Sequence, residues 1–111
     1  MAYDEELAER VRQLVLGEPG LTEKKMFGGL AFLIGGNMTV AARAGGGLMV
    51  RVAEETGARL IDSKKAEPVV MRGRPMSGWL AVPSGDVYSR DRLRQWIERG
   101  VDFARTLPVK E

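Results

Sequence analysis

Four arginines in the middle of the chain are the side chains best suited to chemistry, because guanidinium groups bind phosphates, carboxylates and acidic protein surfaces. Two of them flank a glycine in the stretch VMRGRPMSGW, residues 70–79. The other two lie at the ends of stretches in which apolar residues alternate, a pattern that predicts neighbouring strands. The four positions are Arg43, Arg51, Arg72 and Arg74. If they share one surface, the sequence predicts an anion-binding or partner-binding site there.

Two apolar residues accompany these arginines. Met49 is predicted on the same, more exposed strand face as Arg43 and Arg51, and Trp79 follows the arginine-glycine stretch. A methionine beside arginines is typical of a partner surface, but an ordinary surface side chain fits equally well. A nucleic-acid platform needs several exposed aromatic rings for base stacking. We therefore do not expect direct binding of nucleic acid.

The arginine-glycine stretch also has a purely structural interpretation. Gly73 can relieve a backbone bend, and Pro75 fixes its own φ while lacking a donor N–H, which suits a turn or an edge strand. A turn, however, does not require the two arginines. We therefore interpret the stretch as a structural connection first and as a contact for an anion or a partner second.

The 111-residue sequence contains no cysteine and no histidine. This composition excludes disulfides, thiolate metal sites and thiol nucleophiles, and it removes the commonest general base near neutral pH. The acidic residues cluster at predicted helix starts or lie three or four positions from arginines, where intrahelical ion pairs are expected. We expect no metal site, no cofactor and no catalytic residue, and a non-enzymatic protein rather than an enzyme.

The charge pattern bears on location. The net charge of +2 is too balanced to indicate a nucleic-acid partner by itself. No uncharged stretch reaches the roughly 20 apolar residues of a membrane-spanning helix. The N-terminus is acidic, unlike that of a secretory signal. We expect a cytoplasmic protein without a membrane segment.

The length of 111 residues and the lack of a dividing linker predict a single domain over residues 1–111, and hydrophobic periodicity predicts its helices and strands. A helix is expected from Asp4 to Leu16, three strands over residues 24–52, a short helix over 54–62, two strands around the arginine-glycine turn, and a last helix from about Arg90 to Thr106. The order α-βββ-α-ββ-α is typical of a two-layer α+β domain, with helices packed on an antiparallel sheet of about five strands. The first strand, KKMFGGLAFLI, is expected to bend at Gly28-Gly29.

Four blocks of sequence, read in order, resemble the TfoX N-terminal domain family. They are KKMFGGLAFLIGGNM, GGLMVRV, MRGRPMSGWLAV and WIERGVDFARTLP, and the match extends from about Met26 to Pro108. The resemblance implies an α+β fold similar to the secretion-chaperone type. In TfoX/Sxy-type regulators of natural competence, this domain precedes a C-terminal domain that resembles helix-hairpin-helix modules. The sequence here ends at Glu111, so we expect a stand-alone N-terminal domain.

The resemblance marks signature positions without giving them a chemistry. These are Phe27, Gly28, Gly29, Asn37, Gly73 and Pro75, together with Met38, Arg51, Arg72, Arg74, Met76 and Trp79. It implies an interaction or regulatory module that contacts a protein partner or a second copy of itself in a homodimer. The alternative is a small anion-binding protein or enzyme that uses the arginines to hold a phosphorylated or carboxylated ligand.

Overall fold

The computed structural model describes residues 3–26 and 28–110. Within these residues the chain forms three α-helices and six strands: α1 (Glu5–Val15), β1 (Leu21–Met26), β2 (Gly29–Ile34), β3 (Asn37–Ala42), β4 (Leu48–Arg51), α2 (Glu54–Asp62), β5 (Glu67–Met71), β6 (Arg74–Val82) and α3 (Arg90–Ala104), with a 3-10 turn at Ser84–Val87 before α3. The α+β class and the order of helices and strands are confirmed, with one strand more than expected.

The extra strand comes from the first predicted strand, which is a hairpin. β1 and β2 run antiparallel, and Met26 lies opposite Gly29. Gly28 has φ +77°, a conformation that glycine adopts without a Cβ clash. At the predicted bend, Gly28-Gly29, the chain therefore reverses its direction completely. A continuous apolar stretch in the sequence looks the same for a bent strand and for such a hairpin. The neighbouring signature residue Phe27 lies outside the described residues.

All neighbouring strands pair antiparallel in the order β1-β2-β3-β4-β6-β5. Helices α1 and α3 begin at predicted caps, because the side chains of Asp4 and Ser89 accept hydrogen bonds from backbone N–H groups in the first turns. The apolar stripes of both helices pack on one face of the sheet, which we call the first face. Its most deeply buried side chains include Phe32, Val40, Val50, Leu80 and Leu93.

Helix α3 approaches the sheet at Gly100. A Cβ at this position would lie only 2.6 Å from the backbone oxygen of Thr39 in β3. Thr39 sits where the register between β2 and β3 shifts, and its buried hydroxyl donates to the backbone oxygen of Phe32 at 2.8 Å. The missing side chain of Gly100 therefore allows helix and strand backbones to come together.

The segment after α3 packs on the β2–β3 turn. The side-chain amide of Asn37 donates to the backbone oxygen of Pro108 at 2.8 Å, and the N–H of Lys110 donates to the oxygen of Gly35 at 2.7 Å. Asn37 is buried, so its amide would lose water without such a partner. This contact gives the signature asparagine a structural role.

The opposite face of the sheet, which we call the second face, was expected to be more polar, and this expectation is wrong. A separate apolar cluster covers it, with buried residues Ala31, Met38, Ala41, Met49, Val69 and Ala81. Met49 is only 9% exposed, which corrects its predicted position on an exposed surface. Met26, Met71, Met76 and Trp79 pack against this cluster. The alternation in β4 was read correctly, but the residues that bury this face come from distant strands.

Two of the covering residues, Met71 and Met76, come from a two-stranded extension, residues 70–77, which we call the hairpin arm. Only Trp79–Val82 of β6 pairs with β4, so the earlier part of β6 pairs with β5 alone. Val70 and Met71 of the arm line a cavity of about 150 Å³ together with Met26 and Met49. The arm therefore lies against the second face.

The arm ends in a tight turn at Arg72-Gly73. Both residues have positive φ, +52° and +76°, and Met71 lies opposite Arg74 in the register. A two-residue connection with two positive φ values is a type I′ turn, which favours Asn or Gly at both positions. The predicted turn is confirmed, but β6 begins at Arg74 rather than near Trp79, and Pro75 lies within it, opposite Val70.

Replacing Gly100 by alanine tests the close approach of α3. In an exposed helix this change stabilises, but here the new methyl group would meet the oxygen of Thr39. We expect Gly100→Ala to lower the free energy of unfolding by about 1–3 kcal/mol in urea denaturation. The control is Gly85→Ala, where no atom lies within 4 Å of the added Cβ, with an expected change within about 0.5 kcal/mol. A Gly100→Ala protein as stable as the parent would contradict this packing.

Replacing Arg72 by asparagine tests the turn. Asparagine adopts positive φ more readily than arginine, so we expect Arg72→Asn to raise the free energy of unfolding by a few tenths to about 1 kcal/mol. Arg74→Asn, at a strand position without positive φ, is the comparison and should give no gain. Thermal and urea denaturation measure both. A loss of stability in Arg72→Asn equal to that in Arg74→Asn would argue against the type I′ turn.

Candidate functional site

Arg51 is held between two aromatic rings. Its guanidinium carbon lies 5.1 Å from the ring centroid of Trp79, its register partner on β6, and 5.6 Å from that of Phe103 on α3. A cation over aromatic rings at this distance is attracted by their negative faces. The sequence singled out Arg51 and Trp79 but not Phe103, because the ring comes from a helix about fifty residues away.

Arg72 and Arg74 lie at the tip of the hairpin arm, where both are exposed. Val70, on the same arm, is 57% exposed. The tip therefore presents two cations and one apolar side chain to solvent, on a ribbon whose other side packs on the second face.

Arg43 occupies a third position. Its N–H donates to the backbone oxygen of Gly47 at 3.0 Å, at the end of β4 opposite to Arg51. At 3.3 Å per residue, four residues of strand place Arg51 roughly 13 Å further along. Arg43 instead lines the second-face cavity with Met71, beside the arm. Arg51 is thus separate from Arg43, and the use of these arginines as a binding surface stays a prediction.

The signature glycines and proline serve the backbone. Gly28 and Gly73 have positive φ in hairpin turns, and Pro75 lies in the two-stranded arm. A Cβ at Gly29 would collide with the backbone oxygen of Ala42 on β3. Gly73 and Pro75 shape the arm that carries Arg72 and Arg74, whereas Gly28 and Gly29 shape the β1–β2 hairpin.

A second basic site was missed by sequence analysis. A cleft of about 390 Å³ is lined by Lys64, Lys65, Asp86, Arg92, Gln95, Trp96 and Arg99. Its signal was present in α3, since residues 92, 96 and 99 fall on one helix face. The lysines follow α2, about thirty residues earlier, so only the tertiary structure brings them to this face.

The ion pairs expected within α3 are absent from the described part of the chain. Arg92 lies 3.8 Å from Asp86 of the 3-10 turn, and Arg105, just after the helix, pairs with Glu18. Both contacts join α3 to other elements. Spacing along a helix permits intrahelical pairs, but here the partners supplied by the fold are closer.

The carboxylates with displaced pKa values surround Arg12 on α1. Hydrogen bonds from Gln13 and then Arg12 lower the pKa of Glu9, and a hydrogen bond from Arg12 lowers the pKa of Glu23 on β1. A lowered pKa makes a carboxylate a poorer proton acceptor near neutral pH. These groups tie α1 to β1.

Residues 3–26 and 28–110 contain no group of three or more acidic side chains placed to hold a metal ion. In the same residues, no helix has the length and apolar character to cross a membrane.

Truncating Arg51 should destabilise the fold more than truncating an arginine at the arm tip. We expect Arg51→Ala to lower the free energy of unfolding by about 1–2 kcal/mol, because both ring contacts and the packing of the aliphatic stem are lost. Arg74→Ala, an exposed position, should change it by no more than about 0.5 kcal/mol. Urea denaturation compares the two. Equal effects would show that Arg51 is held no more firmly than a surface residue.

Comparison with known proteins gives one family. No curated protein matches the chain. The model of the TfoX N-terminal domain matches residues 13–104, which is most of the 111-residue sequence. This range contains the first three blocks of the resemblance and most of the fourth. The chain therefore belongs to the TfoX N-terminal domain family.

Proposed function

We propose that this protein is a non-enzymatic interaction module of the regulatory kind, which contacts a protein partner through the hairpin arm. Family membership supports a domain like that of competence regulators. The observation that carries the proposal is the arm tip, where Arg72 and Arg74 are exposed on a turn of defined geometry.

The arm combines a packed side with a charged turn. Met71 and Met76 pack on the second-face cluster, while within the described residues no carboxylate lies within 4.0 Å of either tip arginine. Unpaired guanidinium groups held on an ordered ribbon suit an acidic protein surface, because little side-chain and backbone freedom is lost on binding. The partner we propose therefore presents carboxylates.

The backbone conformation of Arg72 also supports a role in binding. Its positive φ costs roughly 1 kcal/mol relative to glycine. Residues held in unfavourable backbone regions are concentrated at functional sites, where another demand offsets the cost. Asn or Gly would give this turn a more stable backbone than Arg72 does. The arginine therefore fits a role in contacting a partner rather than in stabilising the fold.

The acidic residues support a non-enzymatic role. The sequence offers neither histidine nor cysteine as a base or nucleophile. The carboxylates whose pKa values are displaced are engaged with Arg12 in the link between α1 and β1.

A second copy of the chain is an alternative partner, and sedimentation across a concentration series distinguishes a homodimer from a heterotypic contact.

A complementation experiment tests this function. In the organism that encodes the protein, we expect deletion of its gene to change the transcript levels of competence genes, and the parent protein to restore them. The double variant Arg72→Asn/Arg74→Gln should fail to restore them, because it removes both tip charges from a turn that asparagine accommodates. Quantitative RNA measurements and transformation frequency provide the readout.

The matched control is Arg94→Gln, which removes one positive charge from an exposed position on α3, away from the arm. It should complement fully, and urea denaturation should show all variants folded. Full complementation by the double variant would remove the arm from the proposal. Unchanged competence transcripts after deletion would overturn the regulatory role itself.

A further inference from the structure

The cleft between α3 and the segment after α2 brings together cations from two distant parts of the chain. Arg92 and Arg99 extend from α3, and Lys64 and Lys65 come from the α2–β5 connection. One carboxylate, that of Asp86, lies on the wall. The cleft therefore has an excess of positive charge in a concave space, which concentrates anions.

Most of this charge is not neutralised by the protein. Asp86 lies 3.8 Å from Arg92, and both side chains are at least half exposed, so this pair is weak. Among residues 3–26 and 28–110, no carboxylate lies within 4.0 Å of Lys64, Lys65 or Arg99. Three cations thus face the cleft without a counter-charge in the described chain.

Contacts with the core support two parts of the cleft. The guanidinium carbon of Arg99 lies 4.6 Å from the ring centroid of the buried Trp96. On the other side, Arg10 donates to the backbone oxygens of Val87 at 3.0 Å and Tyr88 at 2.8 Å, holding the end of the 3-10 turn that carries Asp86. Stacking orients the guanidinium group and leaves its N–H groups available to an anion.

Lys64 occupies a position where glycine is usual. The N–H groups of Lys64 and Lys65 donate to the oxygens of Ile61 and Leu60, at 2.9 and 3.0 Å, which closes α2 with a Schellman motif. Lys64 has φ +62°, and a non-glycine residue there costs stability. The end of the helix dipole favours a cation at this position, but the unfavourable backbone conformation suggests a further demand for the charge of Lys64 in the cleft that it lines.

The charge of the cleft restricts the ligand. Four cations and one carboxylate line it, which leaves three positive charges in excess. A single phosphate group carries roughly −1.5 to −2 near neutral pH, whereas two linked phosphoryl groups carry more negative charge and more acceptor oxygens to share among these cations. Arg99 covers the face of the buried Trp96, so the cleft offers no ring on which a nucleobase could stack.

We propose that this cleft is a binding site for a small ligand with two linked phosphoryl groups. Lys64, Lys65 and Arg99 supply charge-assisted hydrogen bonds, and Arg92 shifts from Asp86 to the ligand. The site is distinct from the hairpin arm and does not depend on the function proposed for it.

Titration calorimetry with inorganic pyrophosphate at constant ionic strength tests the proposal. We expect binding by the parent protein that exceeds binding of inorganic phosphate and weakens with added salt. Lys64→Gly, which keeps the Schellman backbone, and Arg99→Gln should each weaken binding about three- to tenfold, as expected for loss of a charged hydrogen bond near solvent. Asp86→Asn should strengthen it by about twofold or more, because a repelling carboxylate is removed.

Arg94→Gln is the control, since it removes the same charge from the same helix outside the cleft. It should bind like the parent protein, and circular dichroism should show every variant folded. Lys65→Gln provides a second test if Arg99→Gln disturbs the helix.

Equal binding by all variants, or no binding of pyrophosphate by the parent protein, would overturn the site. Binding of a duplex oligonucleotide that needs Lys64 while pyrophosphate does not bind would assign the cleft to a polymer and also overturn the proposal.

Discussion

Direct contact between the backbones of α3 and β3 at Gly100 governs where this helix and the side chains on it can lie. Since no side chain separates them, α3 lies directly on the sheet near Thr39. Its position then places Arg92, Trp96 and Arg99 on the wall of the cleft. One turn beyond Gly100, Phe103 reaches Arg51, and the following segment binds the β2–β3 turn through Asn37. A single close approach thus positions the cleft and the ring that contacts Arg51 relative to the core.

The sheet is apolar on both faces, and each face is buried in a different way. Helices cover the first face, whereas the hairpin arm and methionines cover the second. Along one row of the second face the register aligns Ala31, Ala41, Met49 and Ala81. These small alanine side chains leave room for the flexible methionines and for the arm. The arm therefore packs on the sheet along one side, while its turn is a surface element.

Two non-glycine residues of the described chain have positive φ, and both are cations. Lys64 closes α2 beside the cleft, and Arg72 forms the tip of the arm. At either position a glycine or asparagine would give a more stable backbone. A loss of backbone stability of this kind is expected where a charge is needed for binding. Replacing either residue by glycine or asparagine therefore removes the charge without destabilising the fold.

Features that depend on neighbouring residues could be predicted from the sequence. They are the helix stripes, the caps at Asp4 and Ser89, the turn at Arg72-Gly73, the α+β order and the family. The reversal within residues 24–34, the burial of Met49 and the approach of the lysines after α2 to the arginines of α3 could not be predicted, because they depend on the folded arrangement. Periodicity reports which side of an element is apolar, but not what covers it, because burial depends on packing between segments far apart in the chain.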